Sequence, residues 1–424
     1  MRDLDLAGLL GKHMSMHSVP GAAIGVLRDT AVTAASSGIA DATTGEPVTA
    51  DTRFAVGSLA KSMVATVIAR LAEAGRLSLD DPVAAHVPEL RGVGWAARAT
   101  VRDLLANRSR LPLRAQVEFS AFPGEADDVL PRFAATIATG APTARFWSYS
   151  NAGWCLLGRV IETLTGRTWE EAMRTQLLAP LAMHQMTFTS SPVAEPRAVG
   201  HRPTPDGPVP VEPWTPRSHG PAGSTLLLTL GDLLRFARRH LEDPSLALLR
   251  SPHAEVRIHA WLDAWCLGWA RFDWDGGPVW GWDGLISGSR GAATGAAAAW
   301  RCGVAHQWQQ RTRPVPVAVP HPDAGLVRDR HAGAAAGQLT RCGRRPGALC
   351  GRIRLAGLAL GGDGQGYAPP HGRRWWRGRG VALDDCTFVV DANDPDTPTM
   401  TFGGFGASGR PAVLYQMLWG LPRV

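Results

Sequence analysis

The sequence predicts an α/β fold: an antiparallel sheet with helices on both sides, plus an all-helical insertion at about 77–225. Residues 21–27 and 31–37 are short runs of small and apolar residues separated by a turn, a pattern typical of a β-hairpin. Between about 100 and 186, apolar residues recur at the spacing of a helix face. Short apolar runs separated by glycine and aromatic residues return between 256 and 289, and they predict further strands of the sheet.

Capping residues set the limits of the predicted helices. The helix that follows Ser58 ends at Gly75, and the helix that begins at Asn151 ends at Gly166, because glycine is favoured directly after a helix. Thr100 is placed to cap a further helix. The predicted strands downstream are short and lie at 256–260, 266–272, 278–281 and 285–289.

Length and composition indicate a globular protein of one or two domains. The chain has 424 residues, of which 45% are hydrophobic and 19% charged, and no apolar run approaches the length of a membrane span. The first residues lack the basic start and apolar core of a signal peptide, so a cytoplasmic location is expected. Six cysteines without metal-type spacing predict free thiols and no metal site.

The net charge of +7 comes from one segment of the chain. Residues 291–380 contain fourteen arginines, no lysine and three aspartates, a local net charge of +11 that leaves −4 for the rest. A basic charge confined to one segment argues against nucleic-acid binding by the whole protein. We therefore expect no nucleic-acid and no membrane partner; the alternative is a nucleic-acid binder that uses the arginine segment.

Three regions are predicted along the chain. Residues 1–290 form the main domain, and 291–380 is an anomalous Arg-, Gly- and Ala-rich segment without periodicity. Residues 381–424 form a small C-terminal β-rich region with strands at 387–391, 399–402 and 412–418. One hypothesis is that the middle segment is read in the wrong frame of a GC-rich gene, which would put the activity of this chain in doubt. The alternative is a genuine disordered basic insert.

The motif with the clearest chemistry is Ser58-Leu59-Ala60-Lys61, at the start of a predicted helix. Residues three apart share a helix face, so the Ser58 hydroxyl and the Lys61 amine are expected to lie side by side. Lys61 is one of two lysines among 44 basic residues, and a desolvated lysine, unlike arginine, can act as a base. The spacing indicates a nucleophile with its base; the alternative is that Ser58 is a plain helix cap.

Later motifs in the chain carry a family resemblance. Tyr149-Ser150-Asn151, Ala222-Gly223-Ser224 and Trp282-Asp283-Gly284 follow Ser58-Leu59-Ala60-Lys61 in that order. The ordered set resembles the serine β-lactamase-related hydrolases: class C β-lactamases, D-alanyl-D-alanine carboxypeptidases, and their esterase and acyltransferase relatives. The resemblance implies a β-lactamase/transpeptidase-like fold whose last strands close the sheet against the N-terminal hairpin.

The same resemblance implies roles for individual residues. Ser58 would be the nucleophile, and Lys61, alone or together with Tyr149, would remove its proton; which of the two is the base stays open. Asn151 would hydrogen-bond the lysine or the substrate. The oxyanion hole would comprise the backbone N–H of Ser58 and that of Leu285, which follows Gly284.

Two departures from the family pattern bear on the substrate. Arg110 stands in Asn107–Pro112 where relatives usually carry glycine, and Trp282 stands where most relatives carry a lysine or histidine. Trp282 either lines the acyl pocket or belongs to the core. Without that cation, we expect a serine hydrolase that forms an acyl-enzyme from a small-molecule carboxylic ester, with neither cofactor nor metal. Alternatives are an acyltransferase of natural-product metabolism, a β-lactamase or D-amino-acid peptidase acting on an amide, and an inactive homologue.

Overall fold

The computed structural model describes residues 5–109, 111, 128–138, 147–189, 196–204, 207–211, 216–258, 262–274, 277–286, 288–296 and 299–306, and short strands beyond. Its helices are α1 (Leu6–Met16), α2 (Ala60–Glu73), α3 (Val83–His86), α4 (Val101–Leu105), α5 (Val129–Ile137), α6 (Asn151–Thr165), α7 (Trp169–Met173) and α8 (Leu230–Glu242). Short 3₁₀ turns lie at Gly57–Leu59, Pro88–Leu90, Arg217–Ala222 and Pro244–Arg250, and Arg174–Leu178 forms a π turn.

The strands of the main domain are β1 (Gly21–Arg28), β2 (Ala31–Gly38), β3 (Phe54–Ala55), β4 (Thr187–Phe188), β5 (His201–Thr204), β6 (Gly207–Pro210), β7 (Leu226–Leu228), β8 (Ala254–Ile258), β9 (Leu262–Trp265), β10 (Ala270–Trp274), β11 (Gly277–Ile286), β12 (Ser289–Ala296) and β13 (Ala299–His306). Eight of them form one antiparallel sheet in the order β2-β1-β13-β12-β11-β10-β9-β8. The predicted α/β fold with an antiparallel sheet is therefore confirmed, and so is the N-terminal hairpin.

Two strand predictions were wrong. Residues 266–269 form a turn between β9 and β10 instead of the start of a strand, because Gly268 has a φ of +93° and packs closely on α2. The strand predicted at 278–281 and the first part of the one predicted at 285–289 are one strand, β11, whose Trp282 to Gly284 pair in unbroken register with β12, and Ser289 already begins β12. There glycine and tryptophan belong to the ladder and do not interrupt it.

The predicted boundary at residue 290 was also wrong. Strand β12 continues past it, and β13 pairs with β1 over seven residue pairs from Ala22↔Ala305 to Arg28↔Ala299. The first residues of the Arg-, Gly- and Ala-rich segment therefore join the N-terminal hairpin to the rest of the sheet. Small side chains suit this position: a Cβ on Gly291 would lie 2.8 Å from the Val56 side chain. The frame-shift hypothesis for the remainder concerns residues that lie mostly outside the described ones.

The insertion is mainly helical. Helices α3 to α7 all belong to it, and α6 is its most buried element, packed against α2 and the turn Arg217–Ala222. The insertion also contains short strands: β4 pairs with β7, and β5 pairs with β6. The description all-helical thus applies to its first part, up to the π turn at Arg174–Leu178.

The C-terminal region consists of short antiparallel strands. They are β14 (Arg354–Leu355), β15 (Arg374–Trp375), β16 (Val381–Ala382), β17 (Thr387–Val389), β18 (Thr399–Gly403), β19 (Val413–Gln416) and β20 (Trp419–Pro422). Strands β16 to β20 form a five-stranded sheet in which neighbours in sequence pair with each other. The predicted small β-rich region is confirmed.

Helix α2 lies where the sheet meets the insertion. Its capping follows from sequence: Gly75, with φ +68°, comes directly after the last turn. Its apolar residues are almost all buried, and so are three of its polar side chains, Lys61, Ser62 and Thr66. Within the described part of the chain, no helix is both long and apolar enough to cross a membrane.

Candidate active site

Ser58 and Lys61 form a hydrogen-bonded pair at the start of α2. Ser58 lies in the 3₁₀ turn Gly57–Leu59, and the helix continues from Ala60. The Lys61 Nζ donates a hydrogen bond to the Ser58 Oγ at 2.9 Å. The helical spacing that the sequence predicted therefore brings the hydroxyl and the amine into direct contact.

The Lys61 amine is enclosed by protein. Its side chain has no exposed surface, and Nζ donates a second hydrogen bond to the carbonyl oxygen of Ala222 at 2.7 Å. Burial disfavours the charged form and lowers the pKa of Lys61 from 10.5 to about 7. A good fraction of the amine is therefore neutral near physiological pH, as a general base must be.

Tyr149 comes to the same place from the insertion. It precedes α6, and Lys61 Nζ lies 5.0 Å from the centroid of its ring. Burial is the main effect on the phenol and raises its pKa well above the usual value, while Ser58 and Trp282 lie close enough to oppose that rise. Tyr149 is therefore a protonated phenol at neutral pH.

Two tryptophans surround the phenol ring. The ring centroid of Tyr149 lies 5.5 Å from that of Trp282 and 5.8 Å from that of Trp265, and the two indoles meet edge to face at 4.7 Å. The Trp265 Nε1–H donates to the carbonyl oxygen of Leu105 at 2.9 Å, which fixes this ring against the end of α4. Trp282 is 7% exposed, so it packs in this aromatic cluster more than it lines an open pocket.

Three glycines allow backbone segments to approach Ser58. A Cβ on Gly284 would lie 2.2 Å from the Ser58 nitrogen, and one on Gly57 would lie 2.7 Å from the Leu285 nitrogen. A Cβ on Gly223 would lie 2.0 Å from the Gly57 oxygen. The backbone amides of Ser58 and Leu285 therefore belong to two segments in close contact, which an oxyanion hole built from both amides needs.

The other predicted site residues lie at the edges of this arrangement. Leu285 has a side chain that is 49% exposed, so its backbone rather than its side chain faces Ser58. Asn151 is the first residue of α6, and its Oδ1 is buried without a partner among the described residues. The hydrogen bonds that Lys61 makes go to Ser58 and Ala222, so the expected bond from Asn151 to the lysine is not formed here.

Some residues at the site were not singled out by the sequence. The Ala222 carbonyl, Trp265 and the buried Cys155 thiol all adjoin Lys61 or Tyr149, and burial raises the pKa of Cys155. His219 is buried beside them, and burial together with Lys61 lowers the pKa of its imidazole well below 6.5. Ala222 lies in a motif that was recognised, but its carbonyl carries no sequence signal. Arg110, a departure from the family pattern, lies outside the described residues.

Fold and site together define a class of protein. An antiparallel sheet, a mainly helical insertion and a serine–lysine pair between them are the features of the β-lactamase/transpeptidase-like fold. Residues 6–318 match the profile of the beta-lactamase family, and the chain belongs to that family. Within the described part of the chain, no cluster of three or more histidine, cysteine, aspartate or glutamate side chains is arranged to hold a metal ion.

The relatives of this chain include a penicillin-binding protein and an esterase. Penicillin-binding protein 4 of Amycolatopsis lactamdurans is 36% identical over 296 residues, which are 64% of this chain and 76% of that protein. Esterase EstB of Burkholderia gladioli is 32% identical over 174 residues, 37% of this chain and 43% of the esterase. The crystal structure of SurE has a TM-score of 0.74 at 24% identity, covers 99% of this chain and 98% of its own, and shows the shared fold.

Proposed function

We propose that this protein is a serine hydrolase that forms an acyl-enzyme at Ser58, with a carboxylic ester as its substrate. The observation that carries the proposal is the 2.9 Å hydrogen bond between the Ser58 Oγ and a completely buried Lys61 amine. A hydroxyl is a weak nucleophile until a neighbouring base takes its proton. A buried lysine with a pKa of about 7 is such a base.

Acylation then proceeds by proton transfer within the pair. As the Ser58 Oγ bonds to the ester carbonyl carbon, its proton moves to the neutral Lys61 amine. In the neutral amine the direction of the 2.9 Å contact is reversed, with the Ser58 O–H donating to the Nζ lone pair, while one Nζ–H stays bonded to the Ala222 carbonyl oxygen. The resulting ammonium supplies, through Tyr149, the proton that the leaving oxygen takes up as the ester C–O bond breaks. Water then attacks the acyl-enzyme and gives a proton to the neutral Lys61 amine, and the acid is released as Ser58 takes that proton back.

Tyr149 acts as an acid or a relay in this scheme. Its raised pKa keeps the phenol protonated, so it does not compete with Lys61 for the serine proton. The phenol donates its proton toward the leaving oxygen and is reprotonated from Lys61, whose Nζ lies against the Tyr149 ring. The question left open by the sequence, lysine or tyrosine as base, is therefore answered in this proposal in favour of Lys61.

The negative charge that develops on the carbonyl oxygen needs donors. The backbone amides of Ser58 and Leu285 lie on the two segments that Gly57 and Gly284 allow to approach each other. We assign the oxyanion hole to these amides. One such donor is typically responsible for a factor of about 10² to 10³ in kcat.

The choice of an ester rests on Trp282. Most relatives have a cation at this position, close to a carboxylate of the substrate, whereas here an indole packs on Tyr149 at 5.5 Å. Without a cation at this position, the site suits an acyl group that carries no carboxylate. The likeness to esterase EstB is in line with this choice.

A second candidate is an amide or β-lactam substrate. It is favoured by the 36% identity to a penicillin-binding protein, which extends over 64% of this chain. The catalytic residues would be the same, and so would the acyl-enzyme. Transfer of the acyl group to an amine or alcohol, instead of to water, is a further outcome that uses these residues.

Three assays test the proposal. Purified protein is incubated with p-nitrophenyl butyrate, with nitrocefin, and with the ester in the presence of an added amine acceptor. Ester turnover that disappears in Ser58→Ala is expected. Nitrocefin turnover without ester turnover would favour the second candidate, and an absence of turnover together with an absence of acyl adduct at Ser58 by mass spectrometry would contradict both.

A further inference from the structure

Asn107 holds the backbone on both sides of Tyr149. The Ser148 N–H donates a hydrogen bond to the Asn107 carbonyl oxygen at 2.8 Å. The Ser150 N–H donates to the Asn107 side-chain Oδ1 at 3.3 Å. The residues immediately before and after the phenol are therefore bound by one and the same residue, 42 positions earlier in the chain.

The conformation of Asn107 is adapted to this double contact. It follows the end of α4 with a φ of +53°, a left-handed conformation in which asparagine is tolerated better than most residues. Its side chain is 1% exposed, and the Oδ1 also accepts a hydrogen bond from the Trp154 Nε1–H at 3.1 Å. Since Trp154 lies on α6, Asn107 joins three elements: α4, the Tyr149 loop and α6.

The loop needs such support, because residues 147–150 belong to neither a helix nor a strand. The ring of Tyr149 is held by Trp265 and Trp282, but ring contacts alone allow the whole residue to slide within the aromatic cluster. The Cα position of Tyr149 is set by the peptide groups on either side of it. Those are the groups that Asn107 binds.

We propose that Asn107 is a positioning residue, which fixes the Tyr149 phenol against the Ser58–Lys61 pair. This inference rests on the proposed function, since it gives Tyr149 a part in acyl transfer. Asn107 itself touches none of the reacting atoms in this account. It acts through the Tyr149 backbone, and the loss of its side chain has consequences only as far as Tyr149 contributes.

The test removes the side-chain bonds while the backbone conformation is kept. Asn107→Gly retains a residue that adopts positive φ without strain, but it leaves Ser150 N–H and Trp154 Nε1–H without their acceptor. Asn107→Asp keeps an acceptor oxygen at the same place. Thr100→Ala is the matched control, because it removes the side-chain cap of the same helix, α4, without touching the Tyr149 loop.

A fluorophosphonate probe first reports whether Ser58 is reactive in each variant, with melting temperatures recorded alongside. The measured quantity is then kcat for an alkyl ester, whose poor leaving group depends on the proton from Tyr149. We expect kcat of Asn107→Gly to be about ten- to a hundredfold below that of the wild type, as small misplacements near a reacting centre do. Asn107→Asp should recover most of the rate, and Thr100→Ala should stay within about twofold of the wild type. If Asn107→Gly does not fold, Asn107→Ser, whose hydroxyl reaches less far than the amide oxygen, replaces it with the same expectation.

A double variant separates positioning from a general structural role. In the Tyr149→Phe background, Asn107→Gly should have little further effect on kcat for the alkyl ester, because the two residues act as one unit. An unchanged rate in Asn107→Gly, or effects of the two substitutions that multiply in full, would overturn the positioning role. A wild-type protein that is not labelled at Ser58 would instead overturn the proposed function and this inference with it.

Discussion

The two sides of the active site are held in different ways. The nucleophile side, residues 57–61, is one continuous segment whose place is set by backbone packed on backbone at Gly57, Gly223 and Gly284. The phenol side, residues 147–151, is a loop whose place is set by side chains: the amide of Asn107 and the indoles around Tyr149. The first side has no room to adjust, whereas the second depends on individual contacts that can be removed one at a time.

This difference leads to different responses to substitution. On the nucleophile side, even one added methyl group must displace backbone atoms, so substitutions there are expected to remove most of the activity. On the phenol side, the loss of a hydrogen bond or a ring contact changes the distance from the Tyr149 phenol to the Ser58–Lys61 pair. Substitutions there are therefore expected to reduce the activity by intermediate amounts. The following predictions test this contrast, beginning with the largest effect.

Loss of the Lys61 amine should have the largest effect. Lys61→Met keeps the length of the buried side chain but removes the base beside Ser58, and the rate of acylation is expected to fall by about 10³ or more. Single-turnover labelling with the fluorophosphonate measures it directly. Lys12→Met, at the other lysine of the chain, is the control and should behave as the wild type. A rate within tenfold of the wild type for Lys61→Met would exclude lysine as the base.

A methyl group on the strand facing Ser58 should come next. In Gly284→Ala the new Cβ would lie 2.0 Å from the Val56 oxygen and 2.2 Å from the Ser58 nitrogen, both backbone atoms. We expect kcat for p-nitrophenyl butyrate to fall by at least about a hundredfold. The control is Gly11→Ala in α1, where a Cβ would have nothing within 4 Å. Equal activity in the two variants would mean that the two backbones need not be in contact.

Tyr149→Phe should reduce activity by an intermediate amount. The ring contacts with the two indoles remain, so only the phenolic hydroxyl is lost. General acid assistance is typically responsible for a factor of about 10² to 10⁴. The loss should be greater for an ester with a poor leaving group, such as an alkyl ester, than for p-nitrophenyl butyrate, because a phenolate of low pKa needs little help to leave. Equal losses for both esters would argue against a proton relay through Tyr149.

The buried lysine should also affect stability, by a smaller and graded amount. Its pKa is about 7 in the folded protein and 10.5 when exposed, so between these values the unfolded state binds more protons. The free energy of unfolding should therefore rise with pH over this window, by up to about 1.4 kcal/mol per pH unit. Urea unfolding from pH 7 to pH 10 measures the slope, which should be smaller in Lys61→Met. The same slope in both proteins would contradict the burial of a titrating amine.

The sequence predicted the nucleophile side better than the phenol side, for a physical reason. Ser58 and Lys61 are one helical turn apart, so local spacing alone places them together. Tyr149 was placed at the site only by a family resemblance, since no local rule brings a loop of the insertion to the start of α2. The positioning of the Tyr149 loop by Asn107 could not be predicted from the sequence. It depends on a left-handed backbone conformation at Asn107 and on hydrogen bonds to residues that are far away in the chain.

The main sheet shows where composition fails to predict secondary structure. Residues 291–306 were set apart as part of a longer segment rich in glycine, alanine and arginine, yet they belong to β12 and β13, in the middle of the sheet. Ladder hydrogen bonds are made by the backbone and do not need an alternating pattern of side chains. Small residues were required there by the segment that leads to Ser58, as the contact of Gly291 with Val56 shows.

The central claim is that a neutral, buried Lys61 removes the proton from Ser58. The most direct test is the pH dependence of the fluorophosphonate labelling rate at Ser58 between pH 5 and pH 9. The account predicts a rate that rises with pH and is half-maximal near pH 7, as the amine loses its proton. A rate that is constant over this range, or that is still rising tenfold per pH unit at pH 9, would contradict it.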